Sequence, residues 1–240
     1  MDLFQELHDI SEERHADFFG VADLTPAREA ILAQGGPVIA SFPRAISVGV
    51  ALLSSIVDQL PQRSLRAVSM TYRHHAYDVV NARLDNITSQ MSSLLETHGH
   101  RALPVPASQI VDDEHLHAIF SNKMAAHLAG LGWIGKSCLL VTPEVGPRVR
   151  WATVLTDAPL EVTGAPMAEA CGDCTECVDI CPPHAFTGRA FDPDEPREAR
   201  FAAHECKRYM DSLGDDRSIR ICGMCLYVCP YGRKQSTLLG

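Results

Sequence analysis

The stretch Cys171-Gly-Asp-Cys174-Thr-Glu-Cys177-Val-Asp-Ile-Cys181-Pro182 decides how this chain is read. It is answered downstream by Cys222-Gly-Met-Cys225-Leu-Tyr-Val-Cys229-Pro230, with Cys206 between the two runs. Eight of the nine cysteines lie here. Three cysteines at i, i+3 and i+6 can wrap one face of an iron–sulfur cubane and leave backbone N–H groups for its sulfides. The fourth, just before a proline, turns toward a second cubane. Proline fixes φ and ends the local turn after each such crossing. The spacing predicts two [4Fe–4S] clusters. The first takes Cys171, Cys174, Cys177 and Cys229. The second takes Cys181, Cys206, Cys222 and Cys225, its leading cysteine displaced upstream. A zinc ribbon needs only paired C-x2-C steps, without the third cysteine or the trailing prolines. A disulfide framework needs an oxidising compartment and usually a small secreted chain.

The runs resemble those of dicluster bacterial ferredoxins, so residues 166–240 are expected to form a ferredoxin-like module. Upstream the pattern is α/β. Apolar positions over residues 2–19 predict a helix, Gly20–Leu24 a short strand, and Thr25-Pro26 the opening of a second helix. Residues 45–53 are strand-like. Tyr77 to Leu95 is helical, with Gly99 as its stop. Residues 116–129 predict a further helix ending at Gly130. Ser137–Val141 and Arg150–Leu155 predict two strands joined by a proline- and glycine-rich loop. Interleaved strands and helices argue for a mixed sheet covered by helices over residues 1–165. Thr163-Gly-Ala-Pro166 marks the expected boundary.

With 46% hydrophobic and 21% charged residues, the composition is that of an ordinary globular protein with a sizeable core. No apolar run is long enough for a membrane span. The start, Met1-Asp-Leu-Phe-Gln-Glu-Leu-His8, has no basic segment leading into an apolar one, so a cytoplasmic protein is expected. The net charge of −9 offers no general attraction to a phosphate backbone.

A second local signal is Gly130-Leu-Gly-Trp-Ile-Gly-Lys-Ser137. Three glycines in six residues permit close backbone approach to a ligand or to another strand. Lys136 and Ser137 can hydrogen-bond an anionic or amide group, and Trp133 offers a large apolar face. This is neither a Walker loop nor a dinucleotide fingerprint. The turn, then Thr156-Asp157-Ala-Pro159-Leu160, then the two cysteine runs, are similar in order and approximate spacing to the epoxyqueuosine reductase family, relatives of the reductive dehalogenases. Fainter echoes are Phe19-Gly-Val-Ala-Asp23, Pro43-Arg-Ala-Ile-Ser47, and Tyr72 with Tyr77-Asp78.

The resemblance implies a nitroreductase-like α/β domain that binds cobalamin, followed by the dicluster module. The cofactor-binding residues it implies are Gly130, Gly132, Trp133, Ile134, Gly135, Lys136, Ser137 and Tyr77. Electrons from a low-potential ferredoxin or flavodoxin would pass through both clusters to cobalt and then to a small molecule or modified base. Family members that act on tRNA carry a proton-donating aspartate upstream of the turn. That motif is absent, and Asp112 and Asp113 are the candidates in its place, either as acids whose pKa burial in an apolar pocket would raise or, in the other reading, as solvated residues of an exposed acidic loop. The helical-repeat extension of many members is also missing. With the acidic charge, this argues against tRNA as substrate. His115 reads as a surface histidine, because Ala118 breaks the D-x-H-x-x-G cobalt-ligating pattern. Cys138 reads as a small buried hydrophobe, and Arg148 and Arg150 as either contacting a cofactor amide or facing solvent. The alternative function is a dicluster electron carrier that reduces a partner corrinoid protein or enzyme without a substrate of its own.

Overall fold

A computed structural model describes residues 2–214, 216 and 220–236. The chain divides into two compact units, both discontinuous in sequence. The first contains Met1–Ala51, Val79–Leu131 and Arg150–Met167; the second contains Leu52–Asp78, Gly132–Val149 and Ala168–Gly240. Met167 ends the first unit close to the expected boundary, but Leu52–Asp78 and Gly132–Val149 group with the cysteine runs rather than with residues 1–165. Interactions inside the second unit explain this. Arg148 bonds the Tyr227 carbonyl, Lys136 bonds the carbonyls of Gly172 and Cys174, and Leu60 sits where a Cβ on Gly223 would fall.

The first unit is built on a sheet of β1 (Phe18–Asp23), β2 (Arg44–Ala51), β3 (Ala102–Val105) and β6 (Val149–Thr156) in the order β1-β2-β6-β3. The β1/β2 and β3/β6 pairs are antiparallel. The Val80–Thr97 helix packs on β2 and β3. Its buried residues Val80, Leu84, Ile87, Met91 and Leu95 recur at three- and four-residue steps, the spacing that puts one apolar stripe on one face. The Asn122–Leu128 helix packs on β1 and β2, where Ala22, Ile31, Phe42, Ala45, Phe120, Ala125 and Leu155 share one core. Thr163 ties the end of this unit back to Val21, accepting its N–H through Oγ1 at 3.0 Å.

Several elements differ from the sequence expectation. The first helix stops at Glu13, because His15 at φ 53° reverses the chain and Phe18-Phe19 enter β1 instead. The helix expected from residue 116 starts at Asn122, where the Ser121 hydroxyl accepts the Met124 N–H at 3.3 Å. Strand β3 was not expected. It carries Pro104, which a strand tolerates at the sheet edge where β3 lies. In the second unit Ser137–Val141 is strand only at β5 (Leu140–Val141), paired antiparallel with β4 (Trp133–Ile134). No helix among the described residues is long and apolar enough to cross a membrane.

Candidate metal centre

All nine cysteines are free thiols. Burial pushes the Cys177 thiol up to about 12, and the neighbouring charges of Cys171, Cys229 and Cys174 add to it. Cys206 rises to about 11, first through burial and then through Cys222 and Cys181. Cys225 is raised by burial and by Cys222, Cys206 and Cys181, with Cys177 a smaller contributor. The fold thus gathers Cys171, Cys174, Cys177 and Cys229 in one place and Cys181, Cys206, Cys222 and Cys225 in another. Four thiolates crowded together repel, so each would be protonated alone and each set suits a cationic occupant. Iron–sulfur cubanes fit this donor set, and the backbone supports the fit. The N–H groups of Tyr231 and Gly232 favour the Cys229 thiolate, those of Ala185 and His184 the Cys181 thiolate, and that of Lys136 the Cys171 thiolate. The Ala185 N–H reaches the Cys181 sulfur at 3.4 Å.

Local sequence explains these placements. Gly172 and Gly223 take φ of 52° and 66°, a region costly for other residues, at the opening of each cysteine run. The short helices Glu176–Asp179 and Met224–Val228 then carry Cys177 and Cys225, and the two helices pack on each other. Between the runs, Phe186 stacks on Phe201 with ring centres 5.1 Å apart, and this pair joins Cys181 and Ala185 in a small core.

The glycine turn lies beside the first cysteine set. A Cβ on Gly135 would stand 3.4 Å from the Cys171 sulfur, and one on Gly132 would stand 2.3 Å from the Val141 carbonyl oxygen. A Cβ on Gly130, at φ 77°, would meet the Ala165 oxygen at 2.9 Å. Close approach to other backbone therefore accounts for Gly130 and Gly132, and close approach to the Val141 side chain, 2.8 Å from an added Cβ, for Gly135. Lys136 donates to the carbonyls of Gly172 at 2.6 Å and Cys174 at 3.2 Å, not to an anion. Trp133 is buried against the edge of the Tyr231 ring, centres 4.8 Å apart. Its indole N–H has no hydrogen bond of normal geometry, yet it is close enough to the Cys171 sulfur to favour the thiolate. Ile134 and Ser137 are buried. Tyr77, half-buried in a π-helical turn over His74–Val79, meets Tyr72 edge-on at 6.4 Å and receives the Arg73 guanidinium on its face.

Asp112 does not have a raised pKa. The His115 backbone N–H, then the His115 side chain, then the Glu114 backbone N–H lower it to about 2, opposite to the direction that burial would give. Asp113 is exposed. Cys138 is buried as expected, but in a turn at φ 55° rather than on a strand, with the Arg200 guanidinium 3.9 Å from its sulfur.

Two arginines make bonds within the protein. Arg148 is 1% exposed, ion-paired to Asp58 at 2.9 Å and bonded to Ser54 and the Tyr227 carbonyl. Arg150 donates to Asn81 at 3.0 Å. His75, which with His74 reads from sequence as solvated or satisfied in the core, is half-buried. Burial lowers its pKa, with His74 adding to the effect, and its Nε2 accepts the Leu53 N–H at 3.2 Å. The paired histidines on a helix that becomes a π-turn were its only signal.

Residues 170–232 match the 4Fe-4S double cluster binding domain family. Over 152 residues the chain is 33% identical to the epoxyqueuosine reductase of Listeria monocytogenes serovar 1/2a, covering 59% of this chain and 36% of that protein. Over 189 residues it is 31% identical to the epoxyqueuosine reductase of Synechococcus sp. strain CC9605, covering 76% and 54%. The chain resembles the epoxyqueuosine reductases. It spans between about a third and about half of the length of these curated relatives. The fold likeness reaches a catabolic reductive dehalogenase at TM-score 0.69, with 20% identity over 95% of this chain and 31% of the other. It extends to an epoxyqueuosine reductase solved with an epoxyqueuosine-modified tRNA-Tyr stem loop at TM-score 0.56, with 20% identity over 97% and 66%. The architecture of this epoxyqueuosine reductase-like chain is thus a mixed α/β unit combined with a dicluster, ferredoxin-like region.

Proposed function

We propose that this chain is an iron–sulfur reductase in which eight cysteines hold two [4Fe–4S] clusters that relay single electrons to a corrinoid and on to a substrate of the epoxyqueuosine type. The supporting observation is the segregation of the thiols into two sets of four, each completed by a cysteine from the other run. Bound there, the cubanes would supply one-electron transfer at low potential. The chain's own residues order the thiolates for them. Lys136 clamps the Cys171–Cys174 loop through two carbonyls, and peptide N–H groups point at Cys171, Cys181 and Cys229.

The corrinoid rests on the likeness to relatives, one of them from a study of B12-dependent dehalogenation. The contacts of the Gly130–Ser137 turn are explained without it, so no step is assigned to that turn beyond support of the first cysteine set. The substrate is proposed as a modified base. Net charge spoke against tRNA, but a relative bound to a tRNA stem loop makes that RNA the first substrate to try.

Anaerobic reconstitution should yield about eight irons per chain, and the reduced protein should give a [4Fe–4S] electron paramagnetic resonance signal. Four irons or fewer, or zinc held by sulfur in place of iron, would defeat the cluster assignment. The loaded protein should then perturb cobalamin absorbance at tens of micromolar, a range where a site of about −6 kcal/mol begins to fill. It should also convert an epoxyqueuosine-bearing stem loop under reducing conditions. Eight irons without cobalamin binding would replace this reading with the electron-carrier one.

A further inference from the structure

The loop between Pro106 and Ser121 brings three ligating side chains together on the first unit. Asp112, His115 and His117 each offer an atom, and the three atoms lie within 4.8 Å of one another. Both imidazoles address the same carboxylate oxygen. His115 Nδ1 is 2.9 Å and His117 Nε2 is 3.4 Å from Asp112 Oδ2. Ligand atoms about 2.0–2.1 Å from a tetrahedral zinc ion are about 3.3 Å apart, so both edges are near those of an occupied site.

The backbone is shaped to make this convergence. Leu116 takes φ 53°, a left-handed conformation that costs a branched residue of order 1 kcal/mol or more. Asp112 and His117 face each other as an antiparallel bridge, with the Asp112 N–H on the His117 carbonyl at 3.3 Å. The result stacks the His115 and His117 rings 5.6 Å apart and 22° from parallel.

The hydrogen bonds then create a conflict that a cation resolves. A carbonyl oxygen can only accept, so the contact of His117 Nδ1 with the Ala118 carbonyl at 3.1 Å puts the ring proton on Nδ1. In the neutral ring Nε2 therefore carries a lone pair, and it faces the Asp112 carboxylate. Two acceptors confront each other unless a proton or a metal ion lies between them. A metal-ligating histidine characteristically donates its other ring N–H to a carbonyl or carboxylate, as His117 does.

We propose that Asp112, His115 and His117 form a site for a divalent transition-metal ion of the zinc class, separate from the cysteines, with water completing the coordination. Two imidazoles and a carboxylate are the ligands this class takes. Bound there, the ion pins the loop in the conformation that Leu116 strains to adopt. The site does not depend on the corrinoid or on the reductase reading.

The test uses the full chain with both clusters loaded, titrated anaerobically with zinc alone against a chromophoric chelator, with zinc X-ray absorption on the one-equivalent complex. One zinc per chain with a Kd of about 10 µM or tighter is expected. The absorption spectrum should carry imidazole scattering and no sulfur shell. His117→Ala and Asp112→Asn should each weaken binding at least about tenfold while iron content stays at its wild-type level. His115 is 55% exposed, so His115→Ala, which cannot disturb a core, is a third variant expected to weaken binding. No zinc uptake at 100 µM, a sulfur shell, or undiminished affinity in all three variants would overturn the site. In the first case the Asp112–His117 conflict is settled by a proton on the imidazole instead.

Discussion

Arg148 illustrates how much one side chain can decide. Its guanidinium is almost entirely removed from water, while its partner Asp58 keeps about a third of its side chain exposed. Removing Arg148 withdraws the charge, the bonds to Ser54 and Tyr227, and the stem that fills the space over Gly232. Removing Asp58 strands the guanidinium. Arg148→Ala should cost about 3 kcal/mol, in the range for a broken buried pair plus a cavity. It should lower the urea midpoint of the second unit. Arg148→Met, which refills the space without the charge, should recover part of the loss, because an apolar isostere avoids desolvation.

Trp133 gives a second test at this scale. The buried indole N–H has no hydrogen bond of normal geometry but favours the Cys171 thiolate, so with a cluster bound it would be a donor to the sulfur at that corner. Trp133→Phe keeps the packing against Tyr231 and deletes the donor. Hydrogen bonds to cluster sulfurs raise the reduction potential. The first cluster's midpoint, followed by spectroscopic redox titration, should therefore move downward while the second stays in place.

The β4/β5 ladder carries the glycine turn. It is only two residue pairs long, and a Cβ at Gly132 would collide with the Val141 carbonyl across it. Gly132→Ala should open this ladder, displace Lys136 from the Cys171–Cys174 loop and reduce iron retention to about four per chain on gel filtration. Retention of all eight would show that the clamp is dispensable. The glycine cluster marked the turn as a close approach, but sequence could not say to what, because the partner strand lies beyond the turn and has only two residues. The same limit hid β3, whose Pro104 argues against a strand unless its edge position is known. By contrast the double-cluster region was legible from the cysteine spacing, since cluster geometry constrains neighbouring residues through short-range distances. Asp112 was legible as chemistry but not as environment. The sequence left a buried acid and a solvated loop residue both open; His115 and the N–H groups around Asp112 lower its pKa.

For the whole molecule, the raised thiols set a pH dependence. A thiol whose folded pKa lies above the unfolded value near 9.0 binds its proton more tightly in the folded apoprotein. That contribution is complete below about pH 9 and is lost as pH climbs through the interval up to the folded values of about 12 for Cys177 and about 11 for Cys206. Iron-free protein should therefore unfold at progressively lower temperature as pH rises from about 9 to about 11. Cluster-loaded protein, whose thiolates are already deprotonated, should not follow that slope, and loading at fixed pH should release protons measurable in weakly buffered solution. Parallel slopes for the two forms would contradict the grouping of the thiols.

The interrupted second unit has a consequence for modularity. A ferredoxin-like region is an obvious cassette to lift from one redox protein and graft onto another, and residues 168–240 contain every cluster cysteine. Yet the lysine that holds the Cys171–Cys174 loop, the indole beside Cys171 and the arginine seated on the Tyr227 carbonyl are all encoded upstream of that segment. A transplant cut at residue 168 would carry the ligands and leave behind their scaffold. Recombination, in the laboratory or in descent, can exchange this electron relay only together with the loops borrowed from the other half of the chain.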